Sequence, residues 1–384
     1  MATTPRSAQS VTSVPTFIGR RRVRQVGGGL ALLAILMFTV FLALPSPIDP
    51  VAWAVPPPPE RINILAPNNA LDSSVVIGQG QLDEPEDVAV DAAGALYTGT
   101  RDGTIWKITR DAQGTASFTT FANTQGNPLG LCFDPVGNLV VADSQRGLLA
   151  IDPSGTVTTL LTEVDGVPLH FTNDLDIADD GTIYFSDASS KFGNHGADPI
   201  RETLENRPHG RLIAYTPATG ETRVLLPELY FANGVTLIEN DSAVLVAELT
   251  RYRITRYWLT GERAGSADIF ADNLPGMPDG IMSDRRGTVW VSFGSPRNAT
   301  LDTLHRFPFL KRQMAKLPDA WLTAISNSDN YGLIIALNEQ GQIIRSLSDS
   351  QGRFNGGISN ATPHNGTLYL GTRYGTGQIG IYTP

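Results

Sequence analysis

The chain repeats one pattern of residues along most of its length. The pattern is clearest in HFTNDLDIADDGTIYFSDAS, residues 170–189, where an Asn-Asp pair precedes an alternating apolar run, a glycine turn and a second apolar run. Further copies begin near Glu86, Leu129, Asn233 and Asp279, and a shorter one, ISNATPHNGTLYLGT, lies near the C-terminus. Alternating runs separated by glycine turns are typical of antiparallel strand pairs. Six copies therefore predict an all-β repeat protein.

The spacing of the copies predicts a six-bladed β-propeller. The first residues of the five longer copies are 43, 44, 60 and 46 residues apart. An interval in the forties holds four short strands with their turns, which is one propeller blade. The longer intervals predict insertions at 190–208 in blade three and 294–330 in blade five. The second insertion is expected to be partly helical and to form either a lid on one propeller face or a membrane-surface segment.

The N-terminal part predicts a membrane anchor. Residues 1–25 are polar with arginines at their end, which predicts a disordered basic tail, and residues 26–44 carry no charge over about the length of a membrane-crossing helix. Because the basic residues precede the apolar run, we expect a single-pass signal anchor with a cytoplasmic N-terminus and the rest of the chain on the extracytoplasmic side. The alternative is a cleaved signal peptide, since Ala52-Trp53-Ala54 has the form of a cleavage site.

The segment after the anchor is rich in proline. Residues 45–61 include four consecutive prolines, which predicts a stiff, extended linker that acts as a spacer. The propeller is then expected to occupy residues 62–384, with the stretch around 62–77 completing the sixth blade so that no sheet edge stays open.

Composition argues against one class of partner and excludes one kind of covalent link. A formal net charge of −9 argues against a nucleic-acid partner, which would need a clustered basic face. The single cysteine, Cys132, rules out an intramolecular disulfide and lies in an apolar run typical of a core strand.

Polar residues at the start of each copy predict a metal site. The innermost strand of each blade borders the central channel, so residues at its start converge from different blades. Four such positions carry oxygen donors: Glu86, Asn173, Asn233 and Asp279. Oxygen ligands with two negative charges suit Ca²⁺, and no His or Cys is present there to favour zinc. Taken singly, these pairs are also ordinary turn signals; their recurrence favours the site.

Three further residues are candidates near this site. Asp87 and Asp174 follow the first pair of ligands and, because neighbouring strand residues point opposite ways, are predicted to act behind the ligands or in a deeper structural metal site. His170 lies three residues before Asn173 and is a candidate for proton transfer, with an orienting or surface role as the alternative.

Long segments of the chain resemble a known family. FTNDLDIADDGTIYFSDAS, RPHGRLIAYTPATGETRVLLPELYFANGVTL and LPGMPDGI resemble the strictosidine synthase-like family over residues 45–384, in its membrane-anchored branch. The wider superfamily includes gluconolactonases, regucalcin and paraoxonases, which are Ca²⁺-dependent hydrolases of lactones and esters. The resemblance implies a catalytic Ca²⁺ on Glu86, Asn173, Asn233 and Asp279. It also implies a structural Ca²⁺ that uses Asp87 and Asp174.

The sequence departs from the family pattern at two places. Leu129 stands where paraoxonases carry one histidine of a catalytic pair, and the pair therefore cannot operate in this chain. Residues 358–362 lack the glutamate that strictosidine synthases use for condensation, which argues against alkaloid synthesis.

Three functions remain as hypotheses. The first is a membrane-anchored, Ca²⁺-dependent hydrolase of small lactones or aryl esters, with Asp279 as base or nucleophile and Glu86 mainly a ligand. The second is a non-catalytic binding module at the cell surface, in which Ca²⁺ only stabilises the ring. A synthase of the strictosidine type ranks last.

Overall fold

Each copy of the repeat folds into a four-stranded antiparallel sheet. The computed structural model describes residues 17–326, 331–354, 356–373 and 377–383. Within them, six such sheets form the blades of a propeller, and the strands of each sheet follow chain order from the innermost strand outward, except in blade six. The prediction of an all-β, six-bladed propeller is therefore confirmed.

The strands of the first three blades have the following bounds. Blade one contains Ala89–Val90, Leu96–Gly99, Thr104–Arg110 and Ala116–Asn123. Blade two contains Pro128–Phe133, Leu139–Asp143, Gly147–Ile151 and Val157–Leu161. Blade three contains Thr172–Ile177, Ile183–Asp187, Gly210–Thr216 and Glu221–Leu229. A short hairpin, Glu163–Val164 with Val167–Pro168, precedes blade three.

The other three blades complete the ring. Blade four contains Ala232–Leu237, Ala243–Glu248, Arg253–Trp258 and Ala267–Ala271. Blade five contains Gly276–Ser283, Thr288–Pro296, Leu333–Asn338 and Ile343–Ser348. Blade six contains Asn360–His364, Thr367–Gly371 and Ile379–Tyr382, with Val75–Ile77 as its outermost strand.

Blade six joins the two ends of the propeller sequence. Val75 pairs with Ile381 and Ile77 with Ile379, so a strand from the start of the domain completes the last sheet. This pairing closes the ring, as predicted for the stretch around 62–77. Only Val75–Ile77 of that stretch is a strand, however, because Asn63–Leu65 and Ala70–Ser73 form 3₁₀ turns.

The hydrophobic core lies between neighbouring blades. The largest cluster joins blade-four residues such as Leu245 and Ile254 to blade-five residues such as Val291 and Ile335, all of them fully buried. Central strands are therefore buried on both faces. This explains why AVLVAE, Ala243–Glu248, has no polar face although it is antiparallel.

Within the described residues, α-helices occur in three regions outside the blades. Helix α1, Phe17–Ala43, begins nine residues before the predicted membrane span, and residues 1–16 of the predicted tail lie outside the described residues. In the described part of the chain, no helix meets both the length and the hydropathy needed to cross a membrane. The blade-three insertion contains α2, Asp198–Glu205. The blade-five insertion contains α3, Ala299–Leu304, α4, Pro308–Met314, and α5, Asp319–Ser326.

The two insertions and the proline-rich segment together form a cap with its own small core. Buried side chains from all three segments pack together, among them Ile48, Leu204, Ala315 and Leu322. Arg201 of α2 forms an ion pair with Asp319 of α5, at 2.6 Å. The blade-five insertion is thus a partly helical lid that packs on its neighbour, in line with the first of the two expectations.

The proline-rich segment is not a simple spacer. Asp49 forms ion pairs with Arg207 and Arg312, and the buried Lys311 donates a hydrogen bond to the Val51 carbonyl at 3.0 Å. Trp53 stacks on Tyr252 and receives the Arg251 guanidinium on its face, 4.3 Å from the ring centroid. From Pro47 to Arg61 the segment forms no helix or strand, but it is held against the two insertions and against blade four rather than standing free.

The cap contains a buried carboxyl that makes stability depend on pH. Glu202 of α2 is buried and accepts a hydrogen bond from Ser189, and burial raises the pKa of its carboxyl to about 8. The folded state then holds a proton that the unfolded chain has already lost. Its stabilising contribution is complete below about pH 4.5 and is lost as the pH rises through about 8.

We therefore predict that Glu202→Gln removes part of the fall in stability between pH 5 and pH 9. Each unit of pKa difference corresponds to about 1.4 kcal/mol, so the gain of the variant over wild type should reach a few kcal/mol at the alkaline end. Denaturant unfolding at each pH measures this gain in the free energy of unfolding.

Glu205→Gln on the same helix is the control. Burial acts to raise the pKa of Glu205, but hydrogen bonds from His209 and Lys191 outweigh burial and leave that pKa below its usual value. That variant should lose stability throughout the range. Parallel pH curves for wild type and Glu202→Gln would contradict the prediction.

Candidate metal centre

The innermost strands of three blades carry a β-bulge at the predicted ligand position. Thr172 pairs with Asp187 and Leu175 with Phe185, so Asn173 and Asp174 together oppose a single residue. The same irregularity occurs at Asn233–Gly234 and at Asp279–Gly280. A bulge interrupts the ladder and redirects side chains, and bulges are frequent next to active sites. No feature of the sequence indicates these bulges. Because of them, the expectation that neighbouring strand residues point to opposite sides does not apply at these pairs.

The four predicted ligands are all buried near the axis of the ring. The exposed fractions are 6% for Glu86, 2% for Asn173, 2% for Asn233 and 5% for Asp279. Glu86, Asn173 and Asn233 line one cavity of about 10 Å³, room for about one water molecule or ion. Asp279 does not line this cavity; its carboxylate lies against the Cα of Gly294, where an added methyl group would be 2.3 Å from Oδ2.

The charges at the centre are incompletely compensated. Burial raises the pKa of Glu86 well above its usual range; the Arg373 guanidinium opposes this rise and the Asp279 carboxylate adds to it. Burial also raises the pKa of Asp279, against the influence of Arg373 and of a hydrogen bond from Asn233. Among the described residues, the Asn173 Nδ2 atom is buried without a hydrogen-bond partner. Buried carboxylates of this kind are stabilised by a cation, so the donor set fits Ca²⁺.

The donor set is a mixture of carboxylates and amides. In the part of the chain that the structure describes, no group of three or more His, Cys, Asp or Glu side chains is arranged to hold a metal ion. A site here therefore depends on the amide oxygens of Asn173 and Asn233 as well as on Glu86 and Asp279.

The residues behind the ligands join neighbouring blades. Asp87 of blade one accepts a hydrogen bond from the Leu131 amide of blade two, at 2.9 Å, and another from the Asn360 side chain of blade six. Asp174 of blade three accepts one from the Val235 amide of blade four, also at 2.9 Å. These hydrogen bonds hold neighbouring blades together. Both aspartates also line the cavity that Glu86, Asn173 and Asn233 line.

Sequence reasoning missed three residues near the centre. Asn360 lies at the start of the sixth copy, and its place beside Asp87 followed only from closure of the ring. Arg373 reaches Glu86 with its Nη1 atom 3.3 Å from Oε2, and Asn194 of the blade-three insertion accepts a hydrogen bond from Arg373. Arg373 lies 287 positions after Glu86 and 179 after Asn194, so nothing in the local sequence indicates that these residues meet.

Two other singled-out residues lie away from the cavity. His170 is exposed and is not among the cavity-lining residues. Cys132 lies in the inner strand of blade two and packs against a hydrophobic core cluster, consistent with a structural residue.

We predict that Asp87→Ala destabilises the propeller by about 3 kcal/mol. It leaves the buried Leu131 amide without its acceptor, and such an unsatisfied group costs about 1–3 kcal/mol, to which the lost Asn360 contact adds. Chemical denaturation measures the change. The control is Asp111→Ala, in the outer turn of the same blade, where the carboxylate accepts hydrogen bonds from the exposed amides of Gln113 and Thr115; it should cost about 1 kcal/mol or less. Equal effects of the two substitutions would contradict the structural role of Asp87.

Sequence comparison finds two matching family models and relatives that align with most of the chain. Residues 173–262 match the family model for strictosidine synthase, and residues 64–108 match that for the strictosidine synthase-like N-terminal region. The adipocyte plasma membrane-associated protein of Rattus norvegicus is 36% identical over 357 residues, which cover 88% of this chain and 94% of that protein. The protein strictosidine synthase-like 4 of Arabidopsis thaliana is 35% identical, with coverage of 66% and 68%.

Solved structures share the fold. A gluconolactonase from Xanthomonas campestris superposes with a TM-score of 0.59 at 18% identity, covering 87% of this chain and 97% of that one. A calcium-binding regucalcin from Agrobacterium tumefaciens superposes with a TM-score of 0.54 at 13% identity, covering 78% and 90%. At these identities the likeness concerns the fold alone. The extent and identity of the sequence matches show that the chain belongs to the strictosidine synthase-like family, together with the adipocyte plasma membrane-associated proteins.

Proposed function

We propose that this protein is a membrane-anchored, Ca²⁺-dependent hydrolase of lactones or aryl esters. The observation that supports it most is the set of buried oxygen donors that four blades bring together, with two carboxyls whose pKa burial raises. Such a set suits a hard dication with coordination positions left for water or substrate. A gluconolactonase and a calcium-binding regucalcin with the same fold support the lactone and the calcium parts of the proposal.

Three of the four residues at the centre share the role of holding the ion. Glu86, Asn173 and Asn233 hold the ion through one carboxylate and two amide oxygens. When bound there, Ca²⁺ supplies positive charge that polarises the substrate carbonyl. Burial from water strengthens every electrostatic interaction that these side chains make with the substrate.

Asp279 is the proposed base. Hydrolysis forms a bond between the oxygen of water and the acyl carbon and breaks the bond from that carbon to the alcohol or phenol oxygen. The proton lost by water passes to the Asp279 carboxylate and then to the leaving oxygen. A pKa raised by burial makes this carboxylate a stronger base than an exposed aspartate.

We predict that Asp279→Asn lowers turnover at least about 100-fold, the usual contribution of a general base, while the fold is retained. The assay uses a panel of lactones and aryl esters with Ca²⁺, with chelator, and with Ca²⁺ restored. Wild-type turnover should disappear with chelator and return with Ca²⁺. The control is Asp284→Asn in the turn of the same blade, where the carboxylate accepts hydrogen bonds from local amides. Activity retained in Asp279→Asn would contradict the role of Asp279 as the base.

The same assay tests the alternative of a non-catalytic module. A protein that Ca²⁺ stabilises against heat, but that hydrolyses nothing on the panel, would contradict the hydrolase and favour a binding function for the propeller. A melting temperature that Ca²⁺ does not change would argue against the metal centre itself.

The anchor at 26–44 is part of the proposal. Large apolar side chains of α1 are exposed, including Leu30 at 62%, Leu36 at 60% and Phe38 at 60%, and a continuous apolar surface of this kind is unfavourable in water. Arginines precede the apolar run, which favours a cytoplasmic N-terminus and an extracytoplasmic propeller. The relatives named as plasma membrane-associated proteins support attachment to a membrane.

We predict that the full chain stays with membranes after alkaline carbonate extraction, whereas residues 47–384 alone remain soluble. Residues 47–384 form a compact unit of their own, so this fragment is a suitable control. Protease added outside sealed vesicles or cells should reach the propeller but not an N-terminal tag. Release of the full chain by carbonate, or a mature N-terminus just after Ala54, would contradict the anchor.

A further inference from the structure

The blade-five insertion exposes several large apolar side chains to solvent. Among the described residues from 47 onward, the exposed phenylalanine and tryptophan side chains are Phe307, Phe309 and Trp321, all of them in this insertion. Trp321 is 63% exposed, and Ile325 of the same helix is 58% exposed. Large apolar side chains concentrated in one exposed segment mark an interaction surface, because covering them removes apolar area from water.

The other side of the same helices is already used inside the cap. Lys311 and Ala315 at the end of α4, and Leu322 of α5, are buried, and Ala315 and Leu322 belong to the small core of the cap. Trp321 and Ile325 are four positions apart and therefore share one side of α5. The insertion thus packs on the propeller with one side and keeps the aromatic side chains on another.

Basic residues accompany the exposed side. Residues 299–326 contain four basic and two acidic side chains, in a chain whose formal net charge is −9. Arg306 and Arg312 are exposed, Arg312 in an ion pair with Asp49, and the exposed Asp319 is neutralised by an ion pair with α2. Helices in a membrane interface combine exposed Phe, Trp and Leu with basic residues, because the apolar side chains enter the acyl boundary while the cations stay at anionic headgroups.

The chain enters the cap directly after the proposed anchor. Ile48 is buried in the core of the cap, and the apolar run ends at Leu44. A fully extended chain covers at most about 3.6 Å per residue, so Ile48 lies within about 14 Å of the end of that run. A bilayer that contains residues 26–44 therefore has its surface next to the cap.

We propose that the side of the blade-five insertion that faces away from the cap core binds the surface of this bilayer, with Phe307, Phe309, Trp321 and Ile325 at the boundary between headgroups and acyl chains. The position of the bilayer rests on the proposed anchor, whereas the affinity of these side chains for lipid does not require it. The contact is peripheral, so alkaline carbonate would release it in the absence of the anchor. The ion pairs of Asp49 with the cap fit this arrangement, because a free spacer would let the cap leave the membrane.

Quenching of tryptophan fluorescence by brominated lipid tests the contact in the full chain. The protein is reconstituted into vesicles of phosphatidylcholine and phosphatidylglycerol, with or without bromine on the acyl chains, which quenches only nearby indole rings. Trp321 is one of five tryptophans, so brominated lipid should remove up to about a fifth of the fluorescence. Trp321→Phe should remove this loss.

Trp258→Phe is the matched control. It removes a tryptophan from the blade-four strand Arg253–Trp258, whose other end meets the cap where Tyr252 contacts Trp53 and Asp302. This variant should lose the same absolute amount of fluorescence to brominated lipid as wild type. Equal quenching of wild type and Trp321→Phe, in proteins that melt cooperatively, would overturn the proposal.

Ile325→Glu tests the contact without removing the probe. A carboxylate beside Trp321 is costly to bring to the acyl boundary, so the variant should lose most of the quenching by lipid and become accessible to acrylamide, which quenches from water. Val136→Glu makes the same change in charge at an exposed residue of a blade-two turn and should have no effect. If neither lipid nor acrylamide reaches Trp321 in wild type, a second copy of the chain covers it, and the proposal of a lipid surface is overturned.

The outcomes separate this inference from the proposed anchor. If carbonate releases the full chain but Trp321 is quenched before extraction, the anchor fails and the contact of the cap with lipid stands. If the chain resists carbonate and Trp321 is not quenched, the anchor stands and the contact is overturned. Neither result depends on whether the protein hydrolyses a substrate.

Discussion

Closure of the ring is the constraint on which the site depends. The pairing of Val75–Ile77 with Ile379–Tyr382 fixes the last blade to the first, and this sets the distance between inner strands all round the axis. Residues 273 positions apart, Asn360 and Asp87, then become hydrogen-bonded neighbours. Without closure, the polar residues at the strand starts would belong to separate sheets and would form no common site.

The axis of the propeller concentrates buried carboxylates. In most cores an unpaired buried carboxylate is strongly destabilising. Here the inner carboxylates of Asp87 and Asp174 accept backbone hydrogen bonds that tie blades together, while Glu86 keeps only partial compensation from Arg373. The structural task and the proposed binding task are thus divided between adjacent residues: Asp87 beside Glu86 in blade one, and Asp174 beside Asn173 in blade three.

The cap brings together segments that are far apart in sequence. Residues 47–58 and the insertions of blades three and five share ion pairs and a small hydrophobic core. Asn194, on the blade-three insertion, reaches Arg373 beside Glu86, so the cap and the candidate centre lie on the same face of the propeller. Any displacement of the cap would therefore change the position of the guanidinium.

The sequence by itself determined the repeat, the number of blades, the insertions and the four residues of the proposed centre. These depend on local patterning: alternation, glycine turns and the recurrence of polar residues at one place in each copy. It did not determine the bulges at Asn173, Asn233 and Asp279, since a bulge reflects how one strand pairs with the next. Nor did it reveal Arg373 beside Glu86 or the docking of Asp49 on the cap. These contacts join residues separated by more than 150 positions, and only tertiary structure decides them, because local sequence carries no record of which distant surface a side chain will meet.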